Sequence, residues 1–367
     1  MKILAIEQSN NENNSIDVLI TIENNFPLIF NFKGADNLPL LNDCVFLSLY
    51  LQSMQDGTDL QLPNDYPVSK TLVENLFEHQ RIFTRWFPDE LLPININVNA
   101  VDRSFTPKGK VSLFSGGVDS FYTYVLTEQS LSHVFLCIGL DIQLEEVDKV
   151  EAAIELYSDF ACRNGKQLLI VTTNIRHVFP NGNRSIQHAA LLTAMVLAFG
   201  LEFLYIPASH NIDELFPWGS HLLTDPLLSN GITQVLHHGA VSRSEKTMTI
   251  AENQNALDSI RICNSSEEFN CGECEKCLRT MFVLEILGKQ TKNLPLLTNK
   301  LSLLKGIKIY KESQATFWLD NYKFAIKHQR PDLAKYAHDI VRNYRWRQWL
   351  KQGVALIRYR LTTSTKC

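Results

Sequence analysis

An apolar strand that runs through two glycines directly into a helix dominates the middle of this chain. The run reads Val111-Ser112-Leu113-Phe114-Ser115-Gly116-Gly117-Val118-Asp119-Ser120. Glycine has no Cβ, so the turn can aim its backbone N–H groups at a bound anion, and the following helix adds free N–H groups and its positive dipole end. The run therefore predicts a nest for pyrophosphate. It lacks the Gly-Lys-Ser/Thr ending of loops that transfer a terminal phosphate.

The sequence around this loop predicts an α/β fold, with a parallel sheet covered by helices on both faces. From Lys110 onward, β-like and helical patterns alternate. The predicted strands are Lys110–Ser115, His133–Gly139, Gln167–Val171, Phe203–Ala208 and Ser259–Cys263. The predicted helices are Ser120–Leu131, Glu145–Arg163, Ser185–Phe199 and Ser244–Ala256.

Composition and charge divide the chain into three predicted regions. Residues 1–105 form a small α+β module, with strands near Lys2–Ile6, Ile16–Ile22 and Leu28–Phe32 and a helix near Ser69–Trp86. Residues 106–290 form the α/β domain, and residues 291–367 form a basic helical region. The last 47 residues carry 11 basic and 2 acidic side chains, while the whole chain has a formal charge of −4. This balance argues against a protein that coats nucleic acid along its whole surface. The basic end is interpreted as a solvated helix, with contact to an anionic partner as the alternative.

Four of the eight cysteines lie close together, at Cys263, Cys271, Cys274 and Cys277. They are separated by seven, two and two residues, and Gly272 supplies a turn between Cys271 and Cys274. Four thiolates close a tetrahedral Zn²⁺ shell, so the pattern predicts a structural zinc that ties the end of the last strand to the helix beginning near Leu278. An iron–sulfur cluster is the main alternative, and disulfides are a weaker one in a reducing compartment.

The segment Ser115-Gly116-Gly117-Val118-Asp119-Ser120 resembles the SGGxDS signature of the PP-loop ATP pyrophosphatases. Members of that family cleave ATP between its α and β phosphates and transfer AMP to a substrate oxygen. The resemblance implies that Ser115, Gly116, Gly117, Val118, Asp119 and Ser120 bind the phosphates of ATP, with Asp119 beside a Mg²⁺ ion.

The loop and the cysteine cluster together resemble the 7-cyano-7-deazaguanine synthase branch, over about residues 108 to 288. Two further segments support the match. Phe179-Pro180-Asn181-Gly182-Asn183-Arg184-Ser185 lies where that branch has a Pro-Gly-Arg-Asn turn, and Ser242-Arg243-Ser244-Glu245-Lys246 lies where it has a lysine-bearing segment. The resemblance implies that Arg184 and Lys246 join Asp119 in catalysis. Each has an alternative interpretation, Arg184 as a solvated charge near a helix start and Lys246 as a surface lysine.

The activity that this resemblance implies is ATP-dependent C–N bond formation with release of AMP and pyrophosphate. A carboxylate or amide oxygen is adenylated, and an amine or ammonia then gives an amide or a nitrile. The implied cofactors are ATP, Mg²⁺ and structural Zn²⁺. The acceptor could be a different small molecule, a protein or an RNA, and a homodimer is a candidate assembly. The alternatives are a PP-loop enzyme of tRNA modification that uses the basic C-terminal region, and a non-catalytic nucleotide-binding component of a multi-protein system such as an antiphage system.

Several other side chains are weaker candidates. His210 follows a predicted strand, where α/β sheets bind ligands, but a structural loop histidine is the favoured interpretation. His221 and Asp225 form a candidate substrate pair, and His237 and His238 are interpreted as residues of a turn. Trp346 and Trp349 stand among arginines and are interpreted as packing inward, with stacking on a nucleic acid as the alternative.

The sequence also predicts a cytoplasmic protein without a membrane span. The chain reaches Glu7 before any secretory signal could form, and its longest apolar run, Ala189–Leu201, is too short to cross a bilayer. The clustering of the cysteines argues against a secreted disulfide framework.

Overall fold

The computed structural model describes residues 1–11, 15–107, 109–263 and 270–364, with side chains described as far as Lys351. The chain divides into two compact units, Met1–Val241 and Ser242–Cys367. The prediction had placed boundaries near residues 105 and 290 instead. No helix in the described part of the chain is both long and apolar enough to span a membrane.

The first unit is built on one mixed sheet of eight strands, in the order β1-β2-β3-β10-β9-β8-β11-β12. Four short strands, β4 to β7, form two separate two-stranded sheets. The strands are β1 (Ile3–Asn10), β2 (Ser15–Ile22), β3 (Leu28–Lys33), β4 (Leu60–Gln61), β5 (Val68–Ser69), β6 (Ile96–Asn97), β7 (Ala100–Val101), β8 (Lys110–Leu113), β9 (His133–Ile138), β10 (Gln167–Thr173), β11 (Phe203–Pro207) and β12 (Gln234–His238). The helices are α1 (Leu41–Asp56), α2 (Lys70–Trp86), α3 (Val118–Thr127), α4 (Val147–Arg163), α5 (Ile175–Val178) and α6 (Arg184–Leu197).

The five strands from β10 to β12 in this order are all parallel to one another. Strand β8 lies at their centre, with β9 and β10 on one side and β11 and β12 on the other. The strand order therefore reverses at β8, and open α/β sheets bind ligands at the carboxyl ends of the strands next to such a reversal. The predicted α/β class is confirmed, but the sheet is mixed and not wholly parallel, since β1, β2 and β3 pair antiparallel.

The N-terminal strands belong to the same sheet, whereas the sequence had predicted a separate small module. Strand β3 pairs antiparallel with β10, from Lys33 opposite Ile170 to Phe30 opposite Thr173. The reason is the buried face of β3, where Leu28, Phe30 and Phe32 join the main core. Pairing with β10 continues the sheet, so this face packs into the core of the first unit, where the Phe32 ring contacts Phe199 at 5.6 Å.

The prediction of a fifth strand at Ser259–Cys263 is wrong. These residues form no strand, and the fifth parallel strand is β12, Gln234–His238. Val235 is buried in it, and β12 pairs with β11 from Phe203 opposite Gln234 to Pro207 opposite His238. The prediction of His237 and His238 as turn residues is therefore also wrong.

The second unit is helical in its described residues. Its helices are α7 (Arg243–Ala251), α8 (Gln254–Leu257), α9 (Glu275–Leu287), α10 (Leu301–Leu304), α11 (Glu312–Lys327) and α12 (Pro331–Ser364). The indole of Trp318 is buried and donates a hydrogen bond to Glu275 Oε1 at 2.9 Å. By contrast, Trp346 and Trp349 are 62% and 67% exposed, so the expectation that they pack inward is wrong.

Candidate functional site

The glycine loop lies at the carboxyl end of β8, at the reversal of strand order. Strand β8 ends at Leu113 and α3 begins at Val118, with Gly117 in extended conformation as the N-cap. No side chain caps this helix end. The loop therefore presents the first turn of α3, with its backbone N–H groups and positive dipole end, at the edge where α/β sheets bind ligands.

Gly116 can be replaced by no other residue without a change in the loop. Its φ is +72°, and a Cβ built on it would lie 1.6 Å from the hydroxyl oxygen of Tyr157. Both the left-handed backbone and the close approach of Tyr157 require glycine. Within the loop, the Ser120 hydroxyl donates to the Gly117 carbonyl at 3.0 Å, while Ser115 is exposed.

An aromatic cluster beneath the loop fixes the strand relative to the helix. Phe114 contacts Phe121 of α3 at a ring distance of 4.9 Å and stacks on Phe160 of α4 at 5.5 Å. Tyr124 of α3 also contacts Phe160, at 5.0 Å. These rings are buried, so the direction in which α3 leaves the sheet is set by packing before any ligand binds.

The predicted site residues occupy different places in the fold. Asp119 is the second residue of α3 and is half-buried, and Arg184 is an exposed residue at the start of α6. Lys246 belongs to the second unit, on α7, and is 1% exposed. The alternative that made it a surface lysine is therefore wrong. Helix α7 begins with a capping box between Ser242 and Glu245.

The four cysteines come together in the second unit as predicted. Their Sγ atoms all lie within 4.8 Å of one another, with Cys271 Sγ 3.6 Å from Cys263 Sγ and 3.9 Å from Cys277 Sγ. Four sulfurs at about 2.3 Å from a tetrahedral Zn²⁺ would be about 3.8 Å apart, so this group could hold such an ion. Hydrogen bonding from the Cys277 thiol, the strongest of several influences, lowers the pKa of Cys274 to about 4. One thiolate is thus favoured even before a metal binds.

The backbone around the cluster also suits a metal. The N–H groups of Cys271 and Cys274 point at the sulfurs of Cys263 and Cys271, at 3.4 and 3.2 Å. Gly272 has φ +65°, and a Cβ there would lie 2.8 Å from Pro295, so the predicted turn glycine is required. Helix α9 begins at Glu275, three residues before the predicted start, and its positive end faces the thiolates.

His221 and Asp225, the predicted pair, meet through the His221 backbone, whereas the imidazole that contacts the Asp225 carboxylate is that of His237. Asp225 is buried and contacts His237 Nδ1 at 2.7 Å, while it also accepts hydrogen bonds from the Ser220 hydroxyl at 2.8 Å and the His221 backbone N–H at 3.0 Å. The His221 ring instead packs against Trp86 at 4.9 Å, and burial lowers its pKa. The alternation along β12, which places His237 on the face of buried Val235, is the sequence signal that could have found this pair.

We expect this buried contact to stabilise the first unit. Replacing Asp225 with alanine leaves His237, Ser220 and a backbone N–H without their acceptor, and each buried polar group left without a partner typically costs about 1–3 kcal/mol. Urea unfolding should show that loss for Asp225→Ala and little change for the exposed control Asp213→Ala. Equal stability of the two variants would contradict this assignment.

A scan against protein-family models, a search of curated proteins and a search of solved structures found no match to this chain.

Proposed function

We propose that this protein is an ATP-dependent ligase that forms a C–N bond, with AMP and pyrophosphate as products. The observation that carries the proposal is the position of the Ser115–Ser120 loop, at the carboxyl end of β8 where the strand order reverses. A glycine turn followed by an uncapped helix start suits a phosphate chain. The type of reaction is taken from the resemblance of the loop sequence to the PP-loop signature.

The proposed reaction has two steps. A carboxylate oxygen of the acceptor attacks the α phosphorus of ATP, the bond to the β-phosphate oxygen breaks, and pyrophosphate leaves with that electron pair. An amine or ammonia then attacks the carbonyl carbon of the acyl adenylate, loses a proton and expels AMP. An acceptor similar to a 7-deazapurine carboxylate fits the branch that the sequence resembles, and a protein or RNA acceptor is also within the proposal.

The chain's own residues supply charge and position. The N–H groups of the loop and of α3 stabilise the negative charge that develops on the leaving pyrophosphate. Mg²⁺, when bound, would neutralise part of the phosphate charge, and Asp119 is the carboxylate of the loop that would hold it. Arg184 is the cation of the first unit that the proposal assigns to the phosphates, and a catalytic role for Lys246, in the second unit, rests on the resemblance alone. Zinc, held by Cys263, Cys271, Cys274 and Cys277, would have a structural role because four thiolates leave no open position.

A pyrophosphate-release assay with the whole protein tests this proposal. ATP and Mg²⁺ are supplied with a panel of carboxylates that includes a 7-deazapurine carboxylate, with and without ammonia. We expect carboxylate-dependent release of pyrophosphate and AMP in equal amounts, with product formation requiring the amine. Release of phosphate and ADP would contradict the reaction type.

Two further arms of the assay distinguish the alternatives. Turnover that requires added tRNA would favour the tRNA-modification alternative, for which the exposed Trp346 and Trp349 beside Arg345 and Arg347 are the structural support. Tight binding of ATP without turnover on any acceptor would favour the non-catalytic nucleotide-binding component.

A further inference from the structure

Arg176 is a buried arginine at the same edge of the sheet as the loop. It lies on α5, which begins two residues after β10 ends at Thr173, and it is 9% exposed. Strand β10 is separated from β8 only by β9. Because neighbouring strands are about 4.8 Å apart, β10 and β8 lie about 10 Å apart across the sheet, and β10 continues past the level at which β8 ends.

In the described part of the chain, the guanidinium of Arg176 lacks a bonded counter-charge. Among the residues that the structure describes, Arg176 forms no ion pair, and its buried Nε has no hydrogen-bond partner. Burial and the nearby Arg184 lower the pKa of Arg176, while Asp141 and Cys137 raise it. A buried charge without a bonded partner is costly, and a ligand of opposite charge would remove that cost.

Arg184 adds a second positive charge at the same place. It is the first residue of α6, where the helix dipole is already positive, so a cation here is electrostatically unfavourable. Three carboxylates are placed near these arginines: Asp141 acts on Arg176 through space, Glu90 accepts a hydrogen bond from Asn183, and Glu145 contacts Nε2 of His177 at 2.8 Å. In the described part of the chain, none of the three forms an ion pair with Arg176 or Arg184.

We propose that Arg176 and Arg184 form a binding site for an oxyanion, a carboxylate or a phosphate, distinct from the Ser115–Ser120 loop. Guanidinium groups suit this ligand because their N–H groups match the two oxygens of such anions. The anion has two candidate sources, the acceptor and the phosphate chain of the nucleotide. The assignment of these sources rests on the proposed function, whereas the anion site itself does not.

The stability of the ligand-free protein gives the first test. Arg176→Met removes an unpaired buried charge, so we expect its Tm to equal or exceed that of the wild type. The matched control is Arg103→Met in the same unit, since Arg103 donates a hydrogen bond to the Pro67 carbonyl at 2.6 Å. This control should lower Tm by about 2 °C or more. A comparable drop for Arg176→Met would mean that Arg176 is structural and would overturn the proposal.

The second test measures the affinity of three probes by calorimetry, and it also identifies whether the bound anion comes from the acceptor or from the nucleotide. The probes are inorganic pyrophosphate, α,β-methylene ATP and a 7-deazapurine carboxylate, measured on the wild type, Arg176→Met, Arg184→Met and the exposed control Arg163→Met. We expect both site variants to weaken at least one probe by about tenfold or more, with Arg163→Met unchanged. Weakening of pyrophosphate and the ATP analogue assigns the site to phosphate, and weakening of the carboxylate alone assigns it to the acceptor.

The proposal fails if both site variants bind all three probes as the wild type does. This failure differs from failure of the proposed function. A wild type that releases no pyrophosphate, but whose affinity for one probe depends on Arg176 and Arg184, would retain the oxyanion site and lose the ligase activity.

Discussion

Replacing Asp119 with alanine is expected to reduce pyrophosphate release by about 10²–10³-fold or more while the metal content of the protein stays unchanged. Asp119 is the second residue of α3, at the point where the loop meets the helix. In the proposed reaction its carboxylate helps hold the ion that neutralises the phosphate chain. Loss of one group that stabilises charge in a transition state commonly costs this much in rate.

The chain offers a closely matched control in Asp148. It is likewise the second residue of a helix, α4, and it is exposed. Asp148→Ala therefore removes an equivalent helix-start carboxylate and should leave turnover unchanged. Circular dichroism and elemental analysis of both variants check that the fold and the metal are intact. Full turnover by Asp119→Ala would refute the assignment of the loop.

Local sequence patterns were sufficient to predict the part of the fold that surrounds the loop. Strands β8 to β11 and helices α3, α4 and α6 all lie within a few residues of their predicted positions. Each has a clear local signal, an apolar run bounded by turn residues or a helical repeat of apolar positions. The glycine loop lies between two of them, so its place at a strand end followed directly.

Elements that depend on distant contacts were not predictable in the same way. Helix α1 was missed because almost all of it is buried, so it lacks an amphipathic repeat, and its N-cap Leu40 gives no start signal. The pairing of β3 with β10 joins segments about 140 residues apart. Such pairings are decided by which apolar faces meet in three dimensions, and a strand pattern does not contain that information.

The residues of the candidate site also differ in whether the sequence could predict them. The loop and the four cysteines were found from spacing, because their chemistry requires a fixed local sequence. Arg176 had no such signal. What marks it is the lack of a partner for a buried charge, and this can be recognised only when its neighbours are known. The pair of Asp225 and His237 likewise required the position of β12.

The second large effect is expected at the cysteine cluster. Cys274 is the N-cap of α9, and α9 packs against α7 and α11. Cys274→Ser should remove the metal, and with it a binding free energy of about 10–16 kcal/mol for a structural zinc. The whole stability of a domain is about 5–15 kcal/mol. We therefore expect the variant to lose metal and solubility together.

Elemental analysis and solubility after expression measure this outcome, with Cys162→Ser as the control because Cys162 is an exposed free thiol on α4. The wild type and the control should carry one zinc per chain, and Cys274→Ser none. Iron with acid-labile sulfide would replace the zinc assignment by an iron–sulfur cluster. A soluble, metal-free and active Cys274→Ser protein would show that packing among α7, α9 and α11 is enough to hold the second unit without a metal.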